Sequence, residues 1–325
     1  MVAACTLVAR FTIAALELDM AVPQLTIVPR AVPGRAELES ALRGRYTILD
    51  ALGGGAMSRV YAAREHALDR TVALKVLAEH HGSREDRERF RREARVLAML
   101  RHPAIMPVYA AGDAAGIPYF VMPLIEGPSL ARRIAAGPRF AEREACILLA
   151  ALADAVAAAH PSGVIHRDIK PANVLLEHGR PILADFGIAT VHTSEHSRSE
   201  VVRGFGTPAY MAPEQLLGDC DSDERSDIYS LGVVGFELLA GRPPFIGATE
   251  REIAAQHVGR PAPLVSVFRP DVASEVEQVI RRCLAKRPDD RWGTAAELRR
   301  AILDAAAPRP PRARRWASRL LGSRS

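Results

Sequence analysis

The stretch His166-Arg167-Asp168-Ile169-Lys170-Pro171-Ala172-Asn173, followed by Asp185-Phe186-Gly187, decides how this sequence of 325 residues folds. It brings a carboxylate, a cation, an amide and a second carboxylate into one short part of the chain. Asp168 can orient a hydroxyl group and accept its proton, and Lys170 can offset charge on a migrating phosphate. Asn173 and Asp185 offer hard oxygen ligands of the kind that Mg²⁺ prefers. These residue types indicate phosphoryl transfer from a magnesium-bound nucleotide to a hydroxyl.

In this order and spacing the two motifs resemble the catalytic loop and the metal-binding turn of protein kinases. The chain is similar to the bacterial members of the eukaryotic-like serine/threonine protein kinases. The resemblance covers about residues 46–305 and implies an α+β, bilobal protein-kinase fold. It also implies ATP as nucleotide and Mg²⁺, or alternatively Mn²⁺, as metal. Asp168, Lys170 and Asn173 would then be catalytic, and Asn173 with Asp185 would hold the metal.

The sequence pattern agrees with a small β-rich lobe followed by a larger, mainly helical lobe. We predict a five-stranded antiparallel sheet with one key helix in residues 46–122, a hinge in 123–127 and a helical lobe in 128–305. The predicted strands are 46–52, 59–64, 71–77, 107–111 and 119–122, and the helix is 84–100. Residues 1–45 are predicted to be a largely irregular extension with one short helix at 36–42, and 306–325 a basic, disordered tail.

Residues 53–60 resemble the glycine-rich phosphate loop of kinases, with Ser58 in place of its third glycine. Glycines let the backbone amides approach phosphates closely. A glycine cluster alone is equally typical of a plain hairpin turn, but here a strand lies on either side and Val-Ala-Leu-Lys ends at Lys75. The whole loop is expected to contact the nucleotide: Gly53, Gly54, Gly55, Ala56, Met57, Ser58, Arg59 and Val60.

Lys75 lies within the third predicted strand, where a lysine must be solvated or paired. The resemblance implies that Glu93 is its partner and that the pair holds the α- and β-phosphates of ATP. The alternative is a surface lysine and a surface helix glutamate. Arg91, Arg92 and Arg95 also flank Glu93 and offer it local ion pairs in an inactive state.

Residues 119–127 resemble the hinge that receives the adenine base. Met122 would stand at the back of the adenine pocket, the carbonyl of Pro123 would accept from the adenine amine, and the amide of Ile125 would donate. The predicted apolar walls are Leu52, Val60, Ala73 and Leu175. Each of these four residues could equally be ordinary core, and only the family frame selects them.

Lys170, two residues after Asp168, favours serine or threonine rather than tyrosine as the acceptor. Residues 206–214 resemble the substrate-docking loop of kinases, in which Thr207 would contact Asp168 and Lys170. Three further residues are predicted as structural braces. Glu214 would form a buried salt bridge with Arg291, and Asp227 would anchor the backbone of the catalytic loop.

Arg167 places an unpaired positive charge beside the predicted base. In the family, that charge is matched by a phosphate on the activation loop. We therefore predict autophosphorylation within residues 190–203, in a transient dimer, at one of Thr190, Thr193, Ser194, Ser197 and Ser199. Ser197 and Ser199 are favoured by their distance from Thr207. Any one of these hydroxyls can also be an ordinary solvated group.

Composition narrows the class of protein further. The apolar fraction of 48% is a globular value, and four scattered cysteines suit reduced thiols in a cytoplasmic protein. The six arginines after residue 308 more than account for the net charge of +5. That tail is predicted to be solvated, or alternatively to lie on an anionic membrane or partner, and no nucleic acid is expected.

The apolar residues 1–15 favour an irregular leader or a start at Met20 over a secretory signal, and the alanine-rich run 145–159 looks too short to span a membrane.

Three functions remain open from the sequence. The first is an ATP-dependent protein serine/threonine kinase acting on protein substrates. The second is a pseudokinase scaffold, which predicts the loss of a chemical residue. The third is a kinase-fold enzyme that phosphorylates a small molecule, which predicts that the docking segment 206–214 is missing.

Overall fold

The computed structural model describes residues 34–54, 58–77, 84–186, 208–218 and 223–307. Within the helix that begins at Arg84, the side chains of residues 84–87, 89 and 93 are not described. These ranges contain the two predicted lobes and most of the predicted site.

The first lobe is a five-stranded antiparallel sheet. Its strands are β1 (Tyr46–Gly54), β2 (Ser58–Glu65), β3 (Arg70–Leu77), β4 (Ala110–Ala114) and β5 (Ile117–Pro123), in the order β1-β2-β3-β5-β4. In β3, Val72, Leu74 and Val76 point to one core, with every one of them fully buried. Ala73 and Lys75 point to the opposite face, as the two-residue period of a strand requires.

Helix α1 (Arg35–Ala41) corrects the predicted start of the folded part. The short helix predicted at 36–42 is confirmed, but it is not part of an extension outside the fold, because Leu38 and Leu42 are completely buried in the core of the sheet. Arg35 also donates to the carbonyl of Ile48 at 3.0 Å. Burial of two leucines is what holds so short a helix in place, since a seven-residue helix is marginal alone.

The fourth strand lies three residues later than the predicted 107–111. The turn after it fixes the pairing: Ala115 and Gly116 have positive φ, and Asp113 accepts from the Gly116 amide at 2.9 Å. Tyr109, just before β4, still donates to Val121 of β5 at 2.8 Å, but the residues further back pair elsewhere. Met106 donates its amide to the carbonyl of Leu183 at 2.9 Å, which ties this segment to the second lobe.

In the ranges that the structure describes, the second lobe is helical apart from one hairpin. Its helices are α3 (Leu130–Ala136), α4 (Glu142–Ala159), α5 (Pro213–Leu216), α6 (Arg225–Ala240), α7 (Glu250–Gly259), α8 (Ser274–Cys283) and α9 (Ala295–Ala305). The hairpin consists of β6 (Val174–Glu177) and β7 (Arg180–Leu183). Helix α2 (Arg84–Met99) belongs to the first lobe. Helix α2 ends one residue before the predicted end at residue 100.

Helix α4 together with the turn after it, Glu142–Ser162, is long and apolar enough to cross a membrane by length and composition. Our argument that this run is too short was therefore wrong. Its packing decides the matter instead, because ten residues of α4 are buried in the core of the second lobe. Such burial is typical of a core helix.

Candidate active site

The catalytic-loop residues converge on Asp168. Lys170 donates from Nζ to both carboxylate oxygens of Asp168, at 2.9 and 2.7 Å. Asn173 donates from Nδ2 to Oδ2 and to the backbone carbonyl of Asp168, at 2.9 and 2.8 Å. The three residues predicted as catalytic are thus one hydrogen-bonded unit, in which a carboxylate is oriented by a cation and an amide.

Asp227 holds the backbone of this loop from helix α6. It is fully buried and accepts from the amides of His166 at 2.9 Å and Arg167 at 2.8 Å. His160 contacts the same carboxylate at 2.9 Å. The predicted anchoring role of Asp227 is therefore what its contacts show. The anchor also holds Arg167 at a positive φ of 63°, a backbone conformation that costs energy for a residue with a side chain.

His166 links the catalytic loop to the segment that carries Asp185. Its Nδ1 accepts from the amide of Asp168 at 3.2 Å, and Nε2 lies 2.9 Å from the carbonyl of Ala184. Nε2 therefore carries the proton that it donates to that carbonyl. The ring also packs against Phe186 at 4.7 Å between centroids. Phe186 is buried in the main core, so Asp185 is directed toward the cleft between the lobes.

Lys75 contacts Asp185 directly, with Nζ 2.6 Å from Oδ1. Lys75 is 5% exposed, so its charge needs a partner. Burial on its own raises the pKa of Asp185, but the charge and hydrogen bond of Lys75 outweigh it, and the pKa lies below its ordinary value. Asp185 is therefore a carboxylate at neutral pH, held at a positive φ of 68°.

Two parts of the predicted phosphate site lie outside the described residues. They are Gly55, Ala56 and Met57 of the glycine-rich loop and the side chain of Glu93. The predicted pairing of Lys75 with Glu93 stays a prediction. The backbone of α2 runs past residue 93 without a break.

The described residues on either side of the glycine-rich loop belong to two paired strands. Gly53 pairs with Val60 and Gly54 with Arg59. Gly54 has a φ of +149°, and a Cβ there would lie 2.4 Å from the carbonyl oxygen of Ser58. Only glycine allows the two strands to cross at this distance. Ser58, the departure from the family pattern, lies at the start of β2 and is partly buried.

An apolar cluster lies where the adenine base was predicted to bind. Ala73 and Met122 are paired across β3 and β5 and are each 7% exposed. The buried members of the cluster are Ala73, Met106, Met122 and Ile182, and the partly buried ones are Val60, Leu124, Ile125, Leu175 and Ala184. Leu52 is not among them and is 51% exposed. Its predicted place in the wall of the pocket therefore stays a prediction.

At the hinge, the backbone amide of Ile125 makes no hydrogen bond with any residue that the structure describes. It lies just after β5, which ends at Pro123. An open amide beside an apolar cluster suits a flat heterocycle that has both acceptors and faces to bury.

The donor set for a divalent metal fits the prediction. Asp185 is a carboxylate, and the amide oxygen of Asn173 makes no hydrogen bond within the described part of the chain, because Asn173 bonds through Nδ2. A backbone hydrogen bond of 2.8 Å from Ala184 to the carbonyl of Asn173 ties their two segments together. Carboxylate and amide oxygens on adjacent segments are ligands suited to Mg²⁺.

Helix α5 is held in place by a buried salt bridge to Arg291. Arg291 donates to both carboxylate oxygens of Glu214, at 2.7 and 2.8 Å, and both residues are buried. Burial on its own raises the pKa of Glu214, but the hydrogen bonds and charge of Arg291 lower it by more. The pKa of Glu214 therefore lies below its ordinary value. The predicted salt bridge is thus present in the structure. Thr207 lies outside the described residues.

Comparison with known sequences decides the family. The sequence profile of the protein kinase domain matches residues 46–301. The chain belongs to the protein kinase family. The match begins at β1 and ends within α9, so it spans both lobes of this kinase, and the resemblance drawn from the two motifs is confirmed.

The kinase is also similar to curated bacterial proteins. It is 39% identical over 262 residues to serine/threonine-protein kinase PrkC of Bacillus subtilis, covering 79% of this chain and 40% of the relative. It is 38% identical over 278 residues to serine/threonine-protein kinase PknB of Mycobacterium leprae, covering 84% and 44%. PknB of Mycobacterium tuberculosis is 38% identical over 281 residues, covering 84% and 45%. The chain thus spans less than half the length of these relatives.

Sequence reasoning missed several residues that position the site. His166 was quoted within the motif without a role of its own. Gln215 donates to the carbonyl of Arg167 at 3.0 Å, which joins α5 to the catalytic loop. Met106 and Ile182 complete the apolar cluster. Neither could have been selected from the sequence, because each is an ordinary apolar residue outside the motifs.

Proposed function

We propose that this chain is an ATP- and Mg²⁺-dependent protein serine/threonine kinase that transfers the γ-phosphate of ATP to hydroxyls of protein substrates. The observation that carries the proposal is the unit formed by Asp168, Lys170 and Asn173 next to the Lys75–Asp185 pair. It supplies an oriented base in Asp168, a cation in Lys170, and oxygen ligands for a metal in Asn173 and Asp185. Lys75 faces them from the other side of the cleft.

Each residue has one task in this proposal. Asp168 orients the acceptor hydroxyl and takes its proton, and Lys170 offsets negative charge on the phosphate in flight. Lys75 binds phosphate oxygens of the nucleotide. Asn173 and Asp185 would hold Mg²⁺, which neutralises charge on the phosphates when bound. The chemistry needs little more than positioning and electrostatics, which a pre-formed hydrogen-bonded unit provides.

The choice of serine or threonine is supported by Lys170 and by the relatives. PrkC and PknB are both named serine/threonine-protein kinases. Lys170 is bonded to Asp168, where it would lie beside an aliphatic acceptor hydroxyl. Protein substrates, rather than small molecules, are supported by the braced segment from Pro208 to Leu216, which a small-molecule kinase does not need.

Two alternatives are less well supported. A pseudokinase scaffold would have lost one of the chemical residues, but Lys75, Asp168, Asn173 and Asp185 are present and in contact. A small-molecule phosphotransferase would lack the Glu214–Arg291 brace. Neither alternative accounts for the buried hydrogen bonds from Arg291 that hold the docking segment in place.

Autophosphorylation of residues 190–203, which lie outside the described part, is a second element of the proposal. Arg167 supports it, because its Nε is buried and finds no hydrogen-bond partner among the described residues. A buried guanidinium nitrogen without a partner, beside the base, is a ready site for a phosphate on the chain. Site mapping after incubation with Mg-ATP is expected to find phosphate within 190–203, and an unmodified loop in an active enzyme contradicts it.

The experiment that tests the function is phosphoamino acid analysis. The purified chain is incubated with γ-labelled ATP, Mg²⁺ and a library of proteins, and the labelled products are hydrolysed. We expect phosphoserine and phosphothreonine. Phosphotyrosine alone would overturn the acceptor assignment, label on small molecules alone would favour the third function, and no label at all would favour a scaffold.

A further inference from the structure

A buried histidine lies behind the acceptor-docking segment and has no part in the chemistry described so far. His257, on helix α7, is completely buried. Helix α7 packs against the short turn Pro208–Tyr210 and against α5. Burial, and then the nearby charge of Lys286, lower the pKa of His257 to about 4. The imidazole is therefore neutral at physiological pH, with one nitrogen protonated and one free to accept.

The neighbours of His257 decide which nitrogen is protonated. Its Nδ1 lies 2.9 Å from the hydroxyl of Tyr229. That hydroxyl also lies 3.4 Å from Nζ of Lys286, which can only donate. Tyr229 therefore accepts from Lys286, and because its hydroxyl contacts no other acceptor among the described residues, it donates its own proton to Nδ1. The proton of the neutral ring is left on Nε2.

The rest of the pocket around the ring offers Nε2 nothing to bond. Lys286 donates to the backbone carbonyl of His257 at 2.6 Å, and Phe245 packs edge-on against the ring at 4.7 Å. Lys286 and Arg291 are the nearby cations, and both donate elsewhere. Among the residues that the structure describes, Nε2 has no hydrogen-bond partner. A buried N–H without an acceptor is rare and costs free energy.

The docking segment holds a matching open acceptor. The carbonyl of Pro208 accepts from the amide of Met211, and that of Tyr210 accepts from Ser230 at 2.8 Å. The carbonyl of Ala209, between them, makes no hydrogen bond in the described ranges, and Ala209 is 7% exposed. The backbone of Ala209 also acts to raise the pKa of His257, which is the effect of a carbonyl acceptor and not of an amide donor.

We propose that His257 is a positioning residue, whose Nε2–H supports the backbone carbonyl of Ala209 and holds the docking segment in place for the acceptor. The inference rests on the proposed function in one respect, that this segment binds a protein acceptor. In this structure Nε2 does not form a full hydrogen bond, and on this proposal its contact with the carbonyl of Ala209 tightens when an acceptor binds. Such tightening on substrate binding is common in enzymes.

Two isosteric variants separate this role from a merely structural one. The amide of asparagine in His257→Asn reaches the place of Nδ1 and can keep the Tyr229 contact. The amide of glutamine in His257→Gln reaches the place of Nε2 and can keep the Ala209 contact. We expect His257→Asn to raise the KM for an acceptor peptide roughly tenfold, the value for one lost hydrogen bond, with the KM for ATP unchanged. His257→Gln stays within about twofold of the wild type.

Amide hydrogen exchange gives a readout that does not depend on activity. It is measured over residues 208–216, which contain the described part of the docking segment and helix α5. We expect faster exchange there in His257→Asn than in His257→Gln, relative to amides of α4 in the same protein. Equal exchange in the two variants, rescue by asparagine and not by glutamine, or an equal change in both KM values would overturn the proposal. If the wild type labels no acceptor at all, the proposed function fails, while the exchange data still decide the role of His257.

Discussion

At the scale of single residues, the contact between Lys75 and Asp185 is the feature that the motifs alone could not have shown. Both residues were expected to bind the nucleotide and its metal, and Glu93 was the expected partner of Lys75. The structure joins Lys75 and Asp185 across the cleft at 2.6 Å, while the pairing of Lys75 with Glu93 stays a prediction because the side chain of Glu93 is not described. Sequence spacing can identify ionisable residues, but their pairing depends on how two lobes come together.

This contact gives a prediction for Lys75→Met. Removing the cation deprives the nucleotide of its phosphate contact and lets burial raise the pKa of Asp185. We expect kcat/KM for ATP to fall about 10²- to 10³-fold, as for loss of one pre-organised electrostatic partner. Steady-state kinetics at varied ATP checks this, with a thermal melt to show that the fold is kept. Unchanged kinetics would show that Lys75 does not act on the nucleotide.

At the scale of elements, the strands and helices followed well from hydrophobic periodicity, and the misses have local causes. The fourth strand was placed too early because apolar residues before it suggested a strand. The turn at Asp113–Gly116 fixes the register of that hairpin. Four residues before β4, Met106 bonds to Leu183 of β7 instead. Periodicity identifies what is buried, but it does not say against which sheet.

Helix α1 gives a prediction at the same scale. Leu38 is completely buried against the sheet, so Leu38→Ala is expected to cost about 2–5 kcal/mol of unfolding free energy. The matched control is Leu68→Ala in the same lobe, because Leu68 is 64% exposed and its truncation should cost within about 0.5 kcal/mol. Denaturant unfolding of both variants measures this. Equal, small losses would mean that α1 is not part of the fold in solution.

The salt bridge between Glu214 of α5 and Arg291 predicts that the stability of the fold depends on pH. Glu214→Gln leaves Arg291 buried without its counter-charge, which costs about 3–5 kcal/mol near neutral pH. Because the folded-state pKa of Glu214 is depressed, the contribution of its carboxylate is present above the unfolded value of about 4.3 and is lost as pH falls through the folded value.

The free-energy difference between wild type and Glu214→Gln should therefore be largest near neutral pH and shrink in acid. Chemical unfolding at a series of pH values measures it. The control is Glu250→Gln, whose exposed carboxylate should give a small difference at every pH. A difference for Glu214→Gln that grows as pH falls would contradict the sign argued here.

At the scale of the whole molecule, the two lobes would carry the two halves of the proposed reaction. The first lobe holds Lys75, the second holds Asp168, Asn173 and Asp185, and the apolar cluster draws its residues from both lobes. The sequence predicted this division because the motifs lie in a fixed order along the chain. It could not predict how the catalytic loop is held in place. That depends on Asp227, Gln215 and His166, whose hydrogen bonds join elements far apart in the sequence.

The measurement that tests the account most directly compares the wild type with Asp168→Asn in γ-phosphate transfer at saturating Mg-ATP. Asparagine keeps the shape of Asp168 but cannot accept the proton of the acceptor hydroxyl. We predict label on serine or threonine of a protein acceptor with the wild type, and transfer slower by about 10²- to 10⁴-fold with the variant, with nucleotide affinity kept. Equal rates in the two proteins would contradict the assignment of the base, and no transfer by the wild type would contradict the kinase itself.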